Sequence, residues 1–214
     1  MTTTTEFAPQ SGWRALITPA RLDRFEQAVI VALWFFLVER VIGSPNPFAP
    51  LILIAETSVV FFVLIRRPSK AISVELGDWL LAATATAAPL LIMPAPSPFA
   101  WLVYPGIALV FVGNCTQIWA KLYLRRSFGI APANRGIKIG GPYRFVRHPM
   151  YAGYLTVHIG IMMLMPSALN LVIYTIGWWA QILRLLAEER LLGQDPAYQA
   201  FSQQVRYRLV PGVF

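Results

Sequence analysis

One cysteine, two histidines and 10 acidic residues are all that this 214-residue chain holds of the side chains that usually build metal or thiolate centres. A single cysteine, Cys115, excludes an intramolecular disulfide framework and leaves no thiolate cluster for zinc. No basic residue lies within a helical turn of it to favour a thiolate, so it is expected to pack as a small apolar side chain. Charge is scarce as well. Only 13% of residues are charged, against about 25% in ordinary soluble domains, which argues against that class. The 57% hydrophobic content excludes a disordered chain. Nowhere does a strand lead through a Gly-rich turn into a helix, so a doubly wound nucleotide-binding domain is excluded too. Internal repeats are absent. The first residues are Thr-rich and polar rather than basic and then apolar, so no cleavable signal peptide is expected.

What the chain does hold is long apolar runs. Candidate membrane spans lie near 26–43, 49–65, 78–94, 99–122, 149–165 and 168–190. The third is short, carries Pro89 and ends in Pro94, Pro96 and Pro98, so it reads as a kinked or partly inserted segment. Lys and Arg number 18, for a formal net charge of +8, but their placement matters more than their sum. Residues 43–49, 95–98 and 166–167, which follow the first, third and fifth spans, contain none. The other side collects Arg14, Arg21 and Arg24, then Arg66, Arg67 and Lys70. After the fourth span come Lys121, Arg125, Arg126, Arg135, Lys138, Arg144 and Arg147, and the tail adds Arg190, Arg206 and Arg208. Basic loops stay cytoplasmic. The expected fold is therefore an all-α, polytopic integral-membrane bundle of about six helices with both termini cytoplasmic. The expected layout is a tail over 1–25, a first group of membrane helices over 26–98, and a region over 99–214 with a cytoplasmic loop at 123–148 and a C-terminal tail. Trp79, Trp101 and Tyr104 fall near span ends, where interfacial aromatics sit. Membrane lipids are the expected environment; a nucleic-acid partner is not expected.

Chemistry is expected in the long cytoplasmic loop and the tail, because the opposite turns are too short to hold a site. At 141–154 the chain reads GPYRFVRHPMYAGY. Pro149 suits the first turn of a helix, and Gly140, Gly141 and Pro142 end the segment before it. A helix amino terminus carries free N–H groups and partial positive charge, which suits a carboxylate or another anion. The plain alternative is that Arg144 and Arg147 hold lipid headgroups. In the last span, Arg184 and Glu188 are four apart and share a helix face, with Glu189 about 100° round. A surface ion pair is one reading of that spacing. The depth of Arg184 in an apolar stretch points instead to the bundle interior or a polar cavity. For Glu56, and for Glu39 with Arg40, structural pairing or snorkelling is expected, and for His158 a hydrogen-bonded packing role.

GPYRFVRHPMYAGY, followed after one hairpin by RLLAEERLL at 184–192 and a Tyr- and Arg-containing tail ending in Pro211, resembles the isoprenylcysteine carboxyl methyltransferase family. Related integral-membrane enzymes include the phospholipid N-methyltransferases. The resemblance covers roughly the second half of the chain. It implies a methyltransferase that uses S-adenosylmethionine, bound on the cytoplasmic side of a bacterial inner membrane or an endoplasmic-reticulum-type membrane. Carried over by position, Tyr143, His148, Pro149, Met150 and Tyr151 contact the cofactor. Residues 135–138, including Ile137 and Lys138, form a further cofactor-contacting strip. Glu188 binds the cofactor and Arg184 orients the methyl acceptor, a lipophilic small molecule or lipid-modified substrate entering from the bilayer, with an isoprenylcysteine-like carboxylate, another lipid or a thiol as the group methylated. No metal or covalent nucleophile is required, since in-line methyl transfer asks mainly for alignment and exclusion of water. Two other readings stand beside this one: a sterol-reductase-like membrane enzyme using a reduced nicotinamide, and a non-catalytic bundle whose basic loop engages anionic lipid.

All of this requires that the start of the fifth helix and the end of the sixth meet at one polar mouth.

Overall fold

The computed structural model describes residues 19–65, 76–97, 99–125 and 137–214. Arg14, Arg66, Arg67, Lys70, Arg126 and Arg135 lie outside the described residues. Among the described residues the secondary structure is helical throughout: α1 (Pro19–Ile42), α2 (Pro50–Ile65), α3 (Leu76–Leu90), α4 (Val103–Leu124), α5 (Pro149–Leu164), α6 (Ala168–Leu192) and α7 (Pro196–Gln204). Short 3-10 turns precede α4 (Ala100–Leu102) and α5 (Gly141–Arg144). The first six helices follow the apolar runs. The seventh was not expected; Asp195 caps it by accepting from the Ala197 N–H, and Pro196 opens it.

Two stretches, Ala100–Leu124 and Ala168–Leu192, are long and apolar enough to cross a membrane. The helices α2, α3 and α5 have 16, 15 and 16 residues, which at about 1.5 Å per residue is roughly 24 Å, short of the ~30 Å of a bilayer core. Phe35, Phe61, Phe111, Trp119, Leu171 and Trp179 are exposed on the flanks of the helices, as side chains that meet hydrocarbon are. Trp101 and Tyr104, at the start of α4, are also exposed, at 73% and 82%. Cys115 is exposed on α4.

Glycine brings α4 and α5 together. A Cβ on Gly113 would stand 2.7 Å from the Gly153 carbonyl oxygen, and one on Gly153 would stand 2.7 Å from the Gln117 nitrogen. The same holds near the other end, where a Cβ on Gly160 would fall 2.7 Å from the Gly106 oxygen. Glycines seven apart on each helix therefore let the two backbones touch, the close approach that small residues permit between membrane helices. Between α3 and α6 the contact is similar in kind, with Gly177 lying against Ala88.

The end of the bundle away from the basic loop is tied by side chains to backbone. Pro89 stands one residue from the end of α3, which stops at Leu90. Arg40 donates to the carbonyls of Leu90 (3.2 Å), Leu91 (2.9 Å) and Ile92. Asn170, fully buried, accepts from the Met93 N–H at 3.0 Å and donates to the carbonyls of Met93 and Met165 at 2.9 and 3.0 Å. Arg40 thus holds a chain turn.

Candidate active site

The approach to α5 is shaped by Tyr123. Gly140 and Gly141 pass so close to its ring that a Cβ on either would collide with it, and Gly141 has φ +58, a conformation that favours glycine. The turn Gly141–Arg144 then tucks Tyr143 inward, 8% exposed, with its ring 6.1 Å from that of Tyr123. Burial, with the charge of Glu188 adding to it, pushes the Tyr143 phenol well above its usual pKa, so it keeps its proton. Beyond Val146 the chain is non-helical as far as His148 (φ -126, ψ 61), the residue before Pro149, where proline disfavours helix. Pro149 opens α5.

The tail crosses this segment. The Arg147 N–H donates to the Tyr207 carbonyl at 2.9 Å, and the His148 N–H to the Arg208 carbonyl at 2.8 Å. Side chains converge on Glu189. Arg147 Nη1 donates to its Oε2 at 2.6 Å, and Arg208 Nε reaches the same oxygen at 3.3 Å. His148 Nε2 lies 2.7 Å from its Oε1, which also accepts the Tyr198 hydroxyl. Glu189 therefore locks loop, tail and α7 to the end of α6. The Tyr198 phenol is pushed up by burial and by this carboxylate. Sequence spacing singled out Glu188 and left Glu189 to one side; the signal for Glu189 was the run of Arg and Tyr in the tail, which requires a buried carboxylate to converge on.

Glu188 is the less committed of the two. Its Oε2 accepts the Tyr151 hydroxyl at 3.1 Å; it is only partly buried, and among the described residues its Oε1 makes no hydrogen bond. Tyr151, 2% exposed, packs edge-on to the His148 ring and lies beneath Arg184, whose Cζ stands 5.4 Å from the Tyr151 ring centroid. Arg184, 5% exposed, donates to Gln181 Oε1 at 3.4 Å. One face of α6 thus presents Gln181, Arg184 and Glu188 to one face of α5 carrying Tyr151, Tyr154 and His158. The required meeting of the start of α5 and the end of α6 is present. Pro149 is buried at the start of α5, and Met150 is buried in the hydrophobic cluster beneath this seam. Ile137 packs against that cluster. Lys138 lines a groove of about 390 Å³ with Trp119, Leu122, Tyr123 and Arg125.

One expectation changes and one holds. Lys121, assigned above to the basic side, is fully buried in α4: its Nζ donates to Ser58 Oγ at 2.7 Å and Gln117 Oε1 at 2.6 Å and lies 4.9 Å over the Tyr154 ring. Its polar partners come from α2 and α4, and loop charge counting cannot see them. His158 does take a packing role, stacked on Tyr174 at 4.6 Å and accepting at Nδ1 from the Trp178 indole N–H at 3.0 Å.

These residues fit a small cationic cofactor bearing hydroxyl groups in two respects: Glu188, held by the Tyr151 hydroxyl, has an acceptor oxygen to give, and Tyr143 supplies an aromatic ring near it. A comparison with proteins of curated function finds no match. Residues 101–195 match the family model described as phospholipid methyltransferase, and that stretch holds Tyr143, His148, Tyr151, Arg184 and Glu188.

Proposed function

We propose that the chain is an integral-membrane methyltransferase that uses S-adenosylmethionine to methylate a lipophilic acceptor. Its six apolar helices α1 to α6 lie in the bilayer, both termini are cytoplasmic, and the site opens on the cytoplasmic side. The observation that carries the reading is the Glu188 carboxylate, held by the Tyr151 hydroxyl at 3.1 Å with an oxygen to spare, at the seam where the buried Arg184 begins the polar interior. The family match over 101–195 supports the reaction class. The absence of Lys and Arg from 43–49, 95–98 and 166–167 supports the orientation.

S-adenosylmethionine, when bound, supplies an electrophilic methyl group on a sulfonium. The chain's part is placement. Glu188 accepts hydrogen bonds from hydroxyl or amino groups of the cofactor, Tyr151 holds that carboxylate through its hydroxyl, and Tyr143 offers an aromatic ring to the cofactor's charge. Arg184, one turn deeper, holds the acceptor in line. Burial of Tyr151 and Met150 beneath the seam keeps water from the transfer. Arg147, His148 and Glu189 act at one remove, fixing the loop that forms the wall.

Purified protein should bind labelled S-adenosylmethionine. Glu188→Ala should abolish that binding while leaving the bundle folded; unchanged affinity removes Glu188 from the site. Arg184→Ala should retain cofactor and lose labelled methyl transfer into a membrane extract, and normal turnover in that variant would defeat its role.

A further inference from the structure

Deeper in the bundle than Arg184, the polar seam opens into a cavity of about 30 Å³, lined by Glu56 of α2, Thr86 of α3, Tyr154 and His158 of α5, and Gln181 and Arg184 of α6. That is room for a group the size of one or two water molecules. Glu56 is 7% exposed, and among the described residues it makes no hydrogen bond and no ion pair. Buried carboxylates are ordinarily paired or fully hydrogen-bonded. Its surroundings are committed elsewhere: Lys121, whose charge acts on Glu56, spends its ammonium group on Ser58 and Gln117. Trp178 takes His158 Nδ1, and Gln181 Oε1 accepts from Arg184. A carboxylate and a guanidinium on one small cavity suit a group that donates to the first and accepts from the second. A hydroxyl does both; an ammonium is repelled by Arg184, and a carboxylate by Glu56.

Thr86 also lines a second space, a groove of about 120 Å³ between α1 and α3 whose walls include Phe25, Val29, Leu33 and Ala83. Apart from Glu26 and Thr86, the residues that line it are apolar. Thr86 is common to the linings of both spaces, so it stands between the polar cavity and the apolar groove on the flank of the bundle.

We propose that the cavity at Glu56 receives a hydroxyl group of the lipophilic acceptor, donating to Glu56 and accepting from Arg184, with the acceptor's chain lying between α1 and α3. The inference rests on the methyltransferase reading and narrows its acceptor to a hydroxyl-bearing lipophile. It also assigns a specificity role to Glu56, which lies outside the family-matched residues.

The test uses the full-length protein in detergent, with thermal unfolding followed in the presence of dodecanol, dodecylamine or dodecanoate at matched mole fraction in the micelle. Dodecanol should raise the melting temperature by a few degrees more than either charged analogue. Glu56→Leu should erase that preference and Glu56→Gln, which keeps an acceptor oxygen, should retain part of it. Ala83→Phe, which fills the groove, should weaken the dodecanol effect without touching the polar cavity. Equal effects of the three amphiphiles on the wild type, or a preference that survives both Glu56→Leu and Ala83→Phe, would overturn the proposal and leave a buried water as the occupant. Labelled S-adenosylmethionine binding is measured on the same samples. Its absence in the wild type would sink the methyltransferase reading, whereas intact cofactor binding with no alcohol preference sinks only the cavity assignment.

Discussion

Glu188 and Glu189 are adjacent in sequence, yet their geometry assigns them opposite kinds of work, and paired substitutions to glutamine separate the two. Glu189→Gln removes the charge on which Arg147, His148 and Arg208 converge. The Arg147 and Glu189 side chains are 10% and 11% exposed, and stranding one partner of such a buried pair costs about 3–5 kcal/mol. Arg208, at 37% exposure and 3.3 Å, adds under about 1 kcal/mol because solvent screens it. Tyr198 keeps an acceptor in the amide oxygen. For a chain of this size, about 1 kcal/mol moves the melting temperature by roughly 2–4 °C, so a fall of about 10 °C is expected. Glu188→Gln disturbs one hydrogen bond, from Tyr151, worth about 1 kcal/mol, and should lower melting by no more than roughly 4 °C. The order reverses for the cofactor: Glu188→Gln should weaken S-adenosylmethionine binding at least about tenfold, the loss of one charged hydrogen bond of about 1.4 kcal/mol. Tryptophan fluorescence on heating, with equilibrium binding of labelled cofactor, reads both. If Glu188→Gln melts as early as Glu189→Gln, the division of labour argued here is wrong.

Gly153→Ala should destabilise the bundle by about 1–3 kcal/mol, because the new Cβ meets backbone atoms of α4 that cannot turn aside. Gly77→Ala, in α3 where nothing lies within 4 Å, should be neutral or slightly stabilising; thermal melts of the two variants check the contrast. Removing residues 206–214 takes away the carbonyls that receive the Arg147 and His148 N–H groups. Trypsin cleavage at Arg147 should then quicken severalfold, as followed by mass spectrometry of a time course, and an unchanged rate would show that the tail does not secure the loop.

Much of the architecture was readable from residues alone, for a physical reason. Apolar runs bounded by Pro, Gly and charge mark helices strongly, and the six expected runs correspond to α1 through α6 with end shifts of a few residues. α3 ends near Pro89 because proline cannot continue the ladder, as the Pro-rich stretch after it announced. The pairing of RHPMY with AEER was legible because each motif places its polar residues at a helix end. What escaped reading was everything set by contacts between helices. Lys121 counts as a loop cation until α2 supplies Ser58 to receive it. Which of two consecutive glutamates turns toward the tail depends on the rotation of α6, and a period of 3.6 residues leaves that rotation open. Gly106 and Gly113 repeat the seven-residue spacing of Gly153 and Gly160, a match visible in the sequence whose meaning appears only once α4 and α5 are seen side by side. The Asp-Pro step at 195 and 196 was a sufficient helix-start signal for α7, overlooked because the stretch after it is too polar to enter a bilayer.

The glycine contact has a mechanical corollary. Where two helices meet main chain to main chain, no side chain stands between them to rotate and take up a displacement, so their offset is held to within the width of a methyl group. The long basic connection is anchored at one end on α4 and at the other on α5, and its two footings are consequently set at a constant gauge. Any traffic through the site has to be accommodated by parts fastened with hydrogen bonds, such as the carboxy-terminal strap over Arg147 and His148, while the frame beneath stays still.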